Sequence, residues 1–472
     1  MKRGLQAIAL GLAVIATMSL GGRILNLAAG RSTGRVSPTS PGSVHRTGGR
    51  RTHHARRPKP QASPSTRFPF GGHASRDSLL KPLQAIANSI VGPVHARGAD
   101  LIDARGHTFR LTSVNYLPLK NTNAKPFDAG SPWDYDNIAS MGFNSVRLGI
   151  TWGHLEPTAP TIGPDGTIEH HYDQGYLHDM DTIVNGLTGR GLAVIISLQQ
   201  FGWFPMMPAW LDAPGISADQ ARCDFFSNRS DSVGVQMAPW SGTLALWQAL
   251  AGRYRRDPQV LGFDVFNEPR YPQSCSTANL FDFYRAMGTG IRTVNPDLLL
   301  VLEDFGPGSA DRGVFASNQP PPFPNAVYSF HVYKPDWSSF EPTAAAYVGH
   351  AGPWNVPMWM GEFNAFNADS VASGIPFRDR NWRGDTQALM AYLRGRNVGW
   401  AYFSYSGLDS LFLATGAPNL PLIKALAGGF DDYPKGRRVL YGIPNPFGTC
   451  TQPACNVFPS PTPGGTGGLS GR

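Results

Sequence analysis

Eight apolar runs of strand length recur between residues 109 and 405, with helical patterns between most of them. They are 109–115 (FRLTSVN), 143–149 (FNSVRLG), 192–198 (LAVIISL), 261–267 (LGFDVFN), 298–303 (LLLVLE), 327–333 (VYSFHVY), 356–362 (VPMWMGE) and 398–405 (VGWAYFSY). Near-continuous apolar strands are buried on both faces, as in a parallel sheet. Helical periodicity shows at 173–189, 240–256, 279–294 and 383–396. Eight strand–helix units over about 330 residues predict an α/β fold of the (β/α)₈ TIM-barrel kind. A doubly wound open sheet would need a glycine-rich phosphate turn after the first strand, and Asn115-Tyr-Leu-Pro-Leu119 is not one. Ahead of the first run, Leu101 to Phe109 reads as a hairpin turning at Arg105-Gly106 and capping the N-terminal end of the barrel.

In such a barrel, functional groups gather at the C-terminal ends of the strands. Those ends carry Asn115, Arg147, Gln199, Asn267 with Glu268, Glu303 with Asp304, His331 with Tyr333, Glu362, and Tyr402 to Tyr405. Glu268 and Glu362 each close an apolar strand, 94 positions apart. A carboxylate there is costly to bury without a reason. Two of them suit an acid and a nucleophile facing one glycosidic bond. Glu303 and Asp304 read as structural or outer-rim groups. The polar, aromatic rim fits a neutral sugar. No Cys/His spacing points to zinc, and no metal or cofactor is expected.

Asn267-Glu268-Pro269 on the fourth strand, Glu362 on the seventh, Arg147 on the second and His331-x-Tyr333 on the sixth together resemble the cellulase-like clan that includes glycoside hydrolase family 5. The resemblance covers roughly residues 99–430. It implies a retaining mechanism in which Glu268 is the acid/base and Glu362 the nucleophile. Arg147 would keep Glu362 charged, and Tyr333 would hydrogen-bond it. Asn267 would hold the sugar 2-hydroxyl, and His331 would position Glu268 or the sugar. There are departures: Gln199 stands where the family usually has histidine, and Phe403 or Tyr402 where it has a tryptophan platform. A narrower resemblance, to the endoglycoceramidase branch, rests on Pro208-Ala-Trp210, Phe225 to Gln236 and Trp247 to Tyr254. The implied substrate is a β-glucoside, a β-glucan or a glycolipid. β-Mannanase or exo-β-glucanase activity, or a non-catalytic carbohydrate-binding barrel, are the alternatives. The loop Phe201 to Trp210 is unusually apolar. It either folds over the barrel top or walls a site for a lipid aglycone or stacked sugars.

The net charge of +8 is unevenly spread. Residues 1–98 carry 15 lysines and arginines against one acid, Asp77, whereas residues 99–472 carry 26 against 32 acids. The basic character therefore belongs to the N-terminal tail, which argues against a nucleic-acid partner and suits contact with anionic membrane or cell wall. Met1-Lys2-Arg3 followed by an apolar run from Leu5 to Gly22 reads as an export signal, either cleaved near Ala28-Ala29 or retained as an anchor. The expected organisation is a signal over 1–30, a Pro/Ser/Arg-rich disordered linker over 31–98, the catalytic barrel over 99–430 and an extension over 431–472 with a disordered end. Leu79, Leu80, Leu83, Ile86 and Ile90 are spaced for a short helix inside 76–98. Tyr433 to Phe447 reads as an added strand outside the barrel. Four cysteines fit a secreted or cell-surface protein. The expected pairs are Cys450–Cys455, close together in a Pro/Gly-rich tail, and Cys223–Cys275, in loops just past two strands.

Overall fold

The computed structural model describes residues 89–434 except 120, 123–124, 127–131, 201–202, 230–236, 273, 277, 304–319, 335, 365–380, 406–410 and 412–418. The signal, most of the linker, Asp304, the Cys450–Cys455 pair and the strand expected over 433–447, beyond its first two residues, lie outside the described residues.

The eight expected runs form eight parallel strands that close into a barrel: Thr112–Tyr116, Ser145–Ile150, Ala193–Leu198, Val260–Asp264, Leu299–Glu303, Ala326–His331, Met358–Phe363 and Gly399–Tyr402. Spatial order follows chain order, and the eighth strand closes on the first through Trp400 opposite Thr112. The fold is therefore a (β/α)₈ barrel. Helices Gln174–Thr188, Pro239–Tyr254, Leu280–Arg292 and Trp382–Gly395 match the four helical patterns. Others span Pro132–Ser140, Ala218–Phe226, Trp337–Ala351 and Leu420–Leu426.

Local chemistry explains where the helices begin. Asp173, Ser217, Asn279 and Asp336 each accept a backbone N–H of the first turn with a side-chain oxygen, satisfying donors the helix itself leaves unpaired. In the helix after the fourth strand, Leu280, Phe283, Tyr284, Met287 and Ile291 are all buried. That is one face at helical spacing, pressed on the barrel.

Within each strand, side chains alternate between two cores. In the third strand Val194 and Ile196 join the shell between barrel and helices, while Ala193 and Ile195 point into the barrel floor. The floor is completed by Leu261, Leu299, Val301, Val327, Trp359 and Ala401. Leu101 and Phe109 of the hairpin plug it from below. Gly106 makes the hairpin turn at φ +81°, a conformation open to glycine at little cost.

The plug begins earlier in the chain than residue 99. His95–Arg97 pairs antiparallel with Asp100–Ile102, and Ile90 and Val94 are buried in the floor. Residues 89–98, expected to be linker with a short helix ending there, are thus packed and partly extended. Ile90 owes its apolar character to the floor rather than to a helix face.

Above the floor the interior turns polar. Ser113 and Ser145 share a hydroxyl hydrogen bond of 2.6 Å. Asn115, Arg147, Asp264 and Glu303 follow at the C-terminal ends, all buried.

Candidate active site

Arg147 is the hub of this polar layer. It lies fully buried on the second strand, where its neighbours Val146 and Leu148 face outward. Its guanidinium reaches three carboxylates: Asp264 at 2.6 Å, Glu303 at 2.5 Å and Glu362 at 2.7 Å. It also donates to the side-chain oxygens of Asn115 at 2.8 Å and Asn267 at 2.7 Å. Burial alone would lower its pKa, but the three carboxylates outweigh burial and raise it. A permanently charged fork with five donors is the side chain that can hold so many acceptors at once.

The first candidate glutamate owes its position to a strand that stops early. The fourth strand ends at Asp264, short of the apolar run, although Asn267 N–H still donates to Leu198 O at 2.9 Å. Glu268 then adopts φ +45°, a left-handed conformation that a non-glycine residue holds only when its surroundings impose it. Those surroundings are identifiable. Its N–H donates to Glu303 Oε2 at 2.7 Å, and its carbonyl accepts from Gln200 Nε2 at 2.7 Å. Its carboxyl meets His331 Nδ1 at 2.9 Å. Burial pushes its pKa up and the His331 hydrogen bond opposes this; the nearby Glu362 adds to the rise, and the net direction is upward.

Glu362 reaches the site through an irregularity of the seventh strand. The pairing slips between Phe330 and His331 on one side and between Met360 and Phe363 on the other. Such a bulge re-aims side chains. Gly361 lies at the slip, where an added Cβ would sit 2.6 Å from Ser329 Oγ and 2.9 Å from His331 Nε2, so no larger residue fits. Glu362 accepts from Arg147 through Oε1 and from the Tyr333 hydroxyl through Oε2 at 2.7 Å. Burial and Glu362 hold the Tyr333 phenol well above its ordinary pKa, as a donor.

His331 stands between acids on both sides. Nδ1 faces Glu268 and lies 3.7 Å from Glu362, while Nε2 lies 3.4 Å from Glu303. Burial disfavours its charge, yet Glu303 and Glu362 raise its pKa well above the usual value. One carboxylate oxygen each from Glu268 and Glu362 and one His331 ring nitrogen lie within 4.8 Å of one another.

Six of the expected residues, Arg147, Asn267, Glu268, His331, Tyr333 and Glu362, thus form one hydrogen-bonded cluster. Phe403 borders it, half-buried and edge-on to Tyr333 at 6.3 Å. Tyr402, the other candidate for that place, is fully buried against Phe363 at 5.5 Å. Gln199 is buried and donates to Ser197 Oγ at 3.1 Å, with no hydrogen bond to either glutamate among the described residues. Its neighbour Gln200 makes the contacts to the Asn267 and Glu268 carbonyls.

Two acids were under-read from the sequence. Glu303, expected as a structural or outer-rim group, is central and 1% exposed. Burial would raise its pKa, but His331 and Arg147 hold it down to about 2. Asp264, in the middle of an apolar run, is pushed well above the carboxylate range by burial and by Glu303. Its Oδ2 pairs with Arg147, and its Oδ1 meets no hydrogen-bond partner among the described residues. The sequence signal for both was the one that marked Glu268: an acid in or ending a strand with no apolar reason to be there.

The apolar loop after the third strand is largely folded down. Trp203, Met206 and Met207 are buried, Trp203 edge-on to Phe225 at 5.5 Å. Trp210 packs edge-on to Trp152 at 5.5 Å and donates to Glu156 O at 2.8 Å. Of this loop's described residues, Phe204 alone presents a large exposed apolar side chain, 39% exposed. The expected disulfide Cys223–Cys275 is formed, with Cα atoms 5.6 Å apart. It ties helix Ala218–Phe226 to the segment that follows Glu268.

The comparisons agree with this geometry. The family description "Cellulase (glycosyl hydrolase family 5)" matches residues 103–409. An endoglucanase of Paenibacillus polymyxa is 24% identical over 70% of this chain and 82% of its own length. Endoglycoceramidase I of Rhodococcus hoagii is 26% identical over 37% of each chain, so the match spans little more than a third of that relative. Among solved structures, endo-glycoceramidase II from Rhodococcus sp. in complex with ganglioside GM3 superposes with a TM-score of 0.53 at 19% identity, over 70% of this chain and 81% of that one. The catalytic domain of the major endoglucanase from Xanthomonas campestris pv. campestris gives 0.52 at 19% identity, over 71% and 99%. These last two speak to the fold. The family match covers well over half of the chain, and the chain belongs to glycoside hydrolase family 5, the cellulase family: it is a glycoside hydrolase acting on β-glycosides.

Proposed function

We propose that this enzyme cleaves β-glycosidic bonds with net retention, Glu268 acting as acid/base and Glu362 as nucleophile. The observation that carries this reading is the close approach of the two glutamates, with one oxygen of each inside the 4.8 Å cluster around His331. Retaining enzymes hold their carboxyl groups about 5–5.5 Å apart, and inverting enzymes leave room for a water between them. The roles follow from what each carboxyl touches. Glu362 accepts two charge-stabilising hydrogen bonds, from Arg147 and Tyr333. That aims a carboxylate at the anomeric carbon and lets Tyr333 receive it again when it leaves. Glu268 is the buried acid with the raised pKa, which suits a proton donor. Asn267 has its amide oxygen occupied by Arg147, so the amide nitrogen is the group left to meet a sugar 2-hydroxyl.

The substrate we favour is a β-glucoside or β-glucan, with Phe403 as the stacking face. A glycolipid is the second reading, supported by the exposed Phe204 and by the endoglycoceramidase relative. The Cys223–Cys275 bridge supports an exported or surface-bound enzyme. The test is stereochemical. Proton NMR of early hydrolysis should show the β-anomer first. A 2-deoxy-2-fluoro glycoside with a dinitrophenyl leaving group should label the peptide containing Glu362. An α-anomer first, or a label on another carboxylate, would sink the assignment.

A further inference from the structure

Glu303 sits behind the two glutamates at the end of the fifth strand. Its backbone is pinned by one phenol: its N–H donates to the Tyr284 hydroxyl, and its carbonyl accepts from that hydroxyl, each at 3.1 Å. Its carboxylate divides its two oxygens between neighbours. Oε1 takes Arg147 at 2.5 Å, and Oε2 takes the backbone N–H of Glu268 at 2.7 Å while facing His331 Nε2 at 3.4 Å. Glu268 is the residue held at φ +45°. The other charged and titratable groups facing Glu303 are Asp264 on the fourth strand and, across His331, Glu362 on the seventh.

We propose that Glu303 is a positioning residue for the acid/base: one carboxylate oxygen fixes the turned backbone of Glu268 and orients the imidazole against which the Glu268 carboxyl rests. This rests on the reading of Glu268 as the proton donor. An apolar residue at 303 would leave the Glu268 N–H without its acceptor inside the protein, and glutamine, with one amide oxygen, could serve that N–H or Arg147 but not both. Either would also remove the carboxylate charge that faces His331 Nε2 at 3.4 Å. Removing the negative charge lowers the proton affinity of every group around it. Whichever of Glu268 and His331 gives up the proton that ends activity at high pH, that limb must move to lower pH.

The experiment uses the full chain with Glu303→Gln and Glu303→Asp. It measures kcat/KM across pH on a phenyl and a 2,4-dinitrophenyl β-glycoside of whichever sugar the wild type accepts. Dinitrophenolate leaves without a proton, so its release does not depend on the acid. Glu303→Gln should lower kcat/KM for the phenyl glycoside roughly tenfold or more while sparing the dinitrophenyl glycoside. It should also move the basic limb down by about one pH unit. Glu303→Asp keeps the charge and withdraws the oxygen, so it should keep the limb and show the same dependence on leaving group. That variant carries the test if the glutamine variant does not fold. Equal losses on both glycosides with an unmoved limb, in protein of wild-type circular dichroism and Tm, overturn the proposal. Glu268→Ala runs in parallel. If it lacks the leaving-group dependence, the assignment of Glu268 falls. If it shows the dependence and the Glu303 variants do not, only the positioning role falls.

Discussion

Glu268→Gln keeps the volume and the hydrogen bond to His331 but removes the proton that a poor leaving group needs. We expect kcat/KM on such substrates to fall roughly 10²–10⁴-fold. Glu268's own contribution to the basic limb of the pH profile should vanish with it. In the wild type that limb should lie above an ordinary carboxylate pKa, because burial and Glu362 raise Glu268. A limb near pH 4 in a pH–rate series would contradict this. Tyr333→Phe removes one of two donors to Glu362. A hydrogen bond to a charged group contributes about 1.5–3 kcal/mol, so kcat should drop roughly tenfold or more with little change in KM or Tm. At this scale the cluster was legible in Asn267-Glu268-Pro269, Glu362, Arg147 and His331-x-Tyr333, because each residue type has few reasons to end a buried strand. Glu303 and Asp264 were harder to read. Their function is to satisfy Arg147 and His331, and those partners lie 156 and 28 positions from Glu303 along the chain. Composition and periodicity carry no such pairing.

Among the elements, the disulfide and the short loop it anchors have the clearest consequence. Cys223–Cys275 closes a segment of 52 residues containing Glu268. Replacing both cysteines with serine should cost about 2–4 kcal/mol, read as a lower urea midpoint. It should also lower kcat more than KM, because the loop that bears Glu268 loses its tether to helix Ala218–Phe226. An unchanged midpoint would show the bridge to be dispensable. The strands were legible because all positions of Ala193–Leu198 and Val260–Asp264 are buried, which favours near-continuous apolar sequence, broken only by the polar Ser197 and Asp264. Their ends were less so. The run 261–267 reads as one strand, yet pairing stops at Asp264. The departure of residues 265–268 is set by Glu303 on the fifth strand and Gln200 just past the third, the two neighbours of the fourth, rather than by local propensity. The loop Trp203–Trp210 shows the same limit. Its hydrophobicity was plain, but its direction depends on neighbours outside the loop, Phe225 in helix Ala218–Phe226 and Trp152 just past the second strand.

For the whole molecule, the buried charge layer links activity to acid stability. Glu303 has a folded pKa of about 2 against an ordinary 4.5. Its folded value is depressed, so the stability it contributes is fully present above the unfolded value and is lost as pH falls through the folded one. Between about pH 4.5 and 2 the protein should lose on the order of 3 kcal/mol from this group. Urea midpoints across that window check it, and Glu303→Gln should flatten the dependence. A slope that persists in that variant would assign the acid sensitivity elsewhere. Eight buried strands alternating with amphipathic helices left the chain one economical way to hide its apolar surface, a closed parallel barrel, and the barrel's geometry decides which ends carry chemistry. That much is local, since it depends on periods of two and 3.6 residues that any short window displays. Which acids face one another depends on strand register, on the slip at Gly361 and on the left-handed turn at Glu268. Those arise only when strands far apart in sequence settle side by side, because a buried carboxylate's energy is set by the charges and donors within a few ångströms of it and not by its neighbours along the chain.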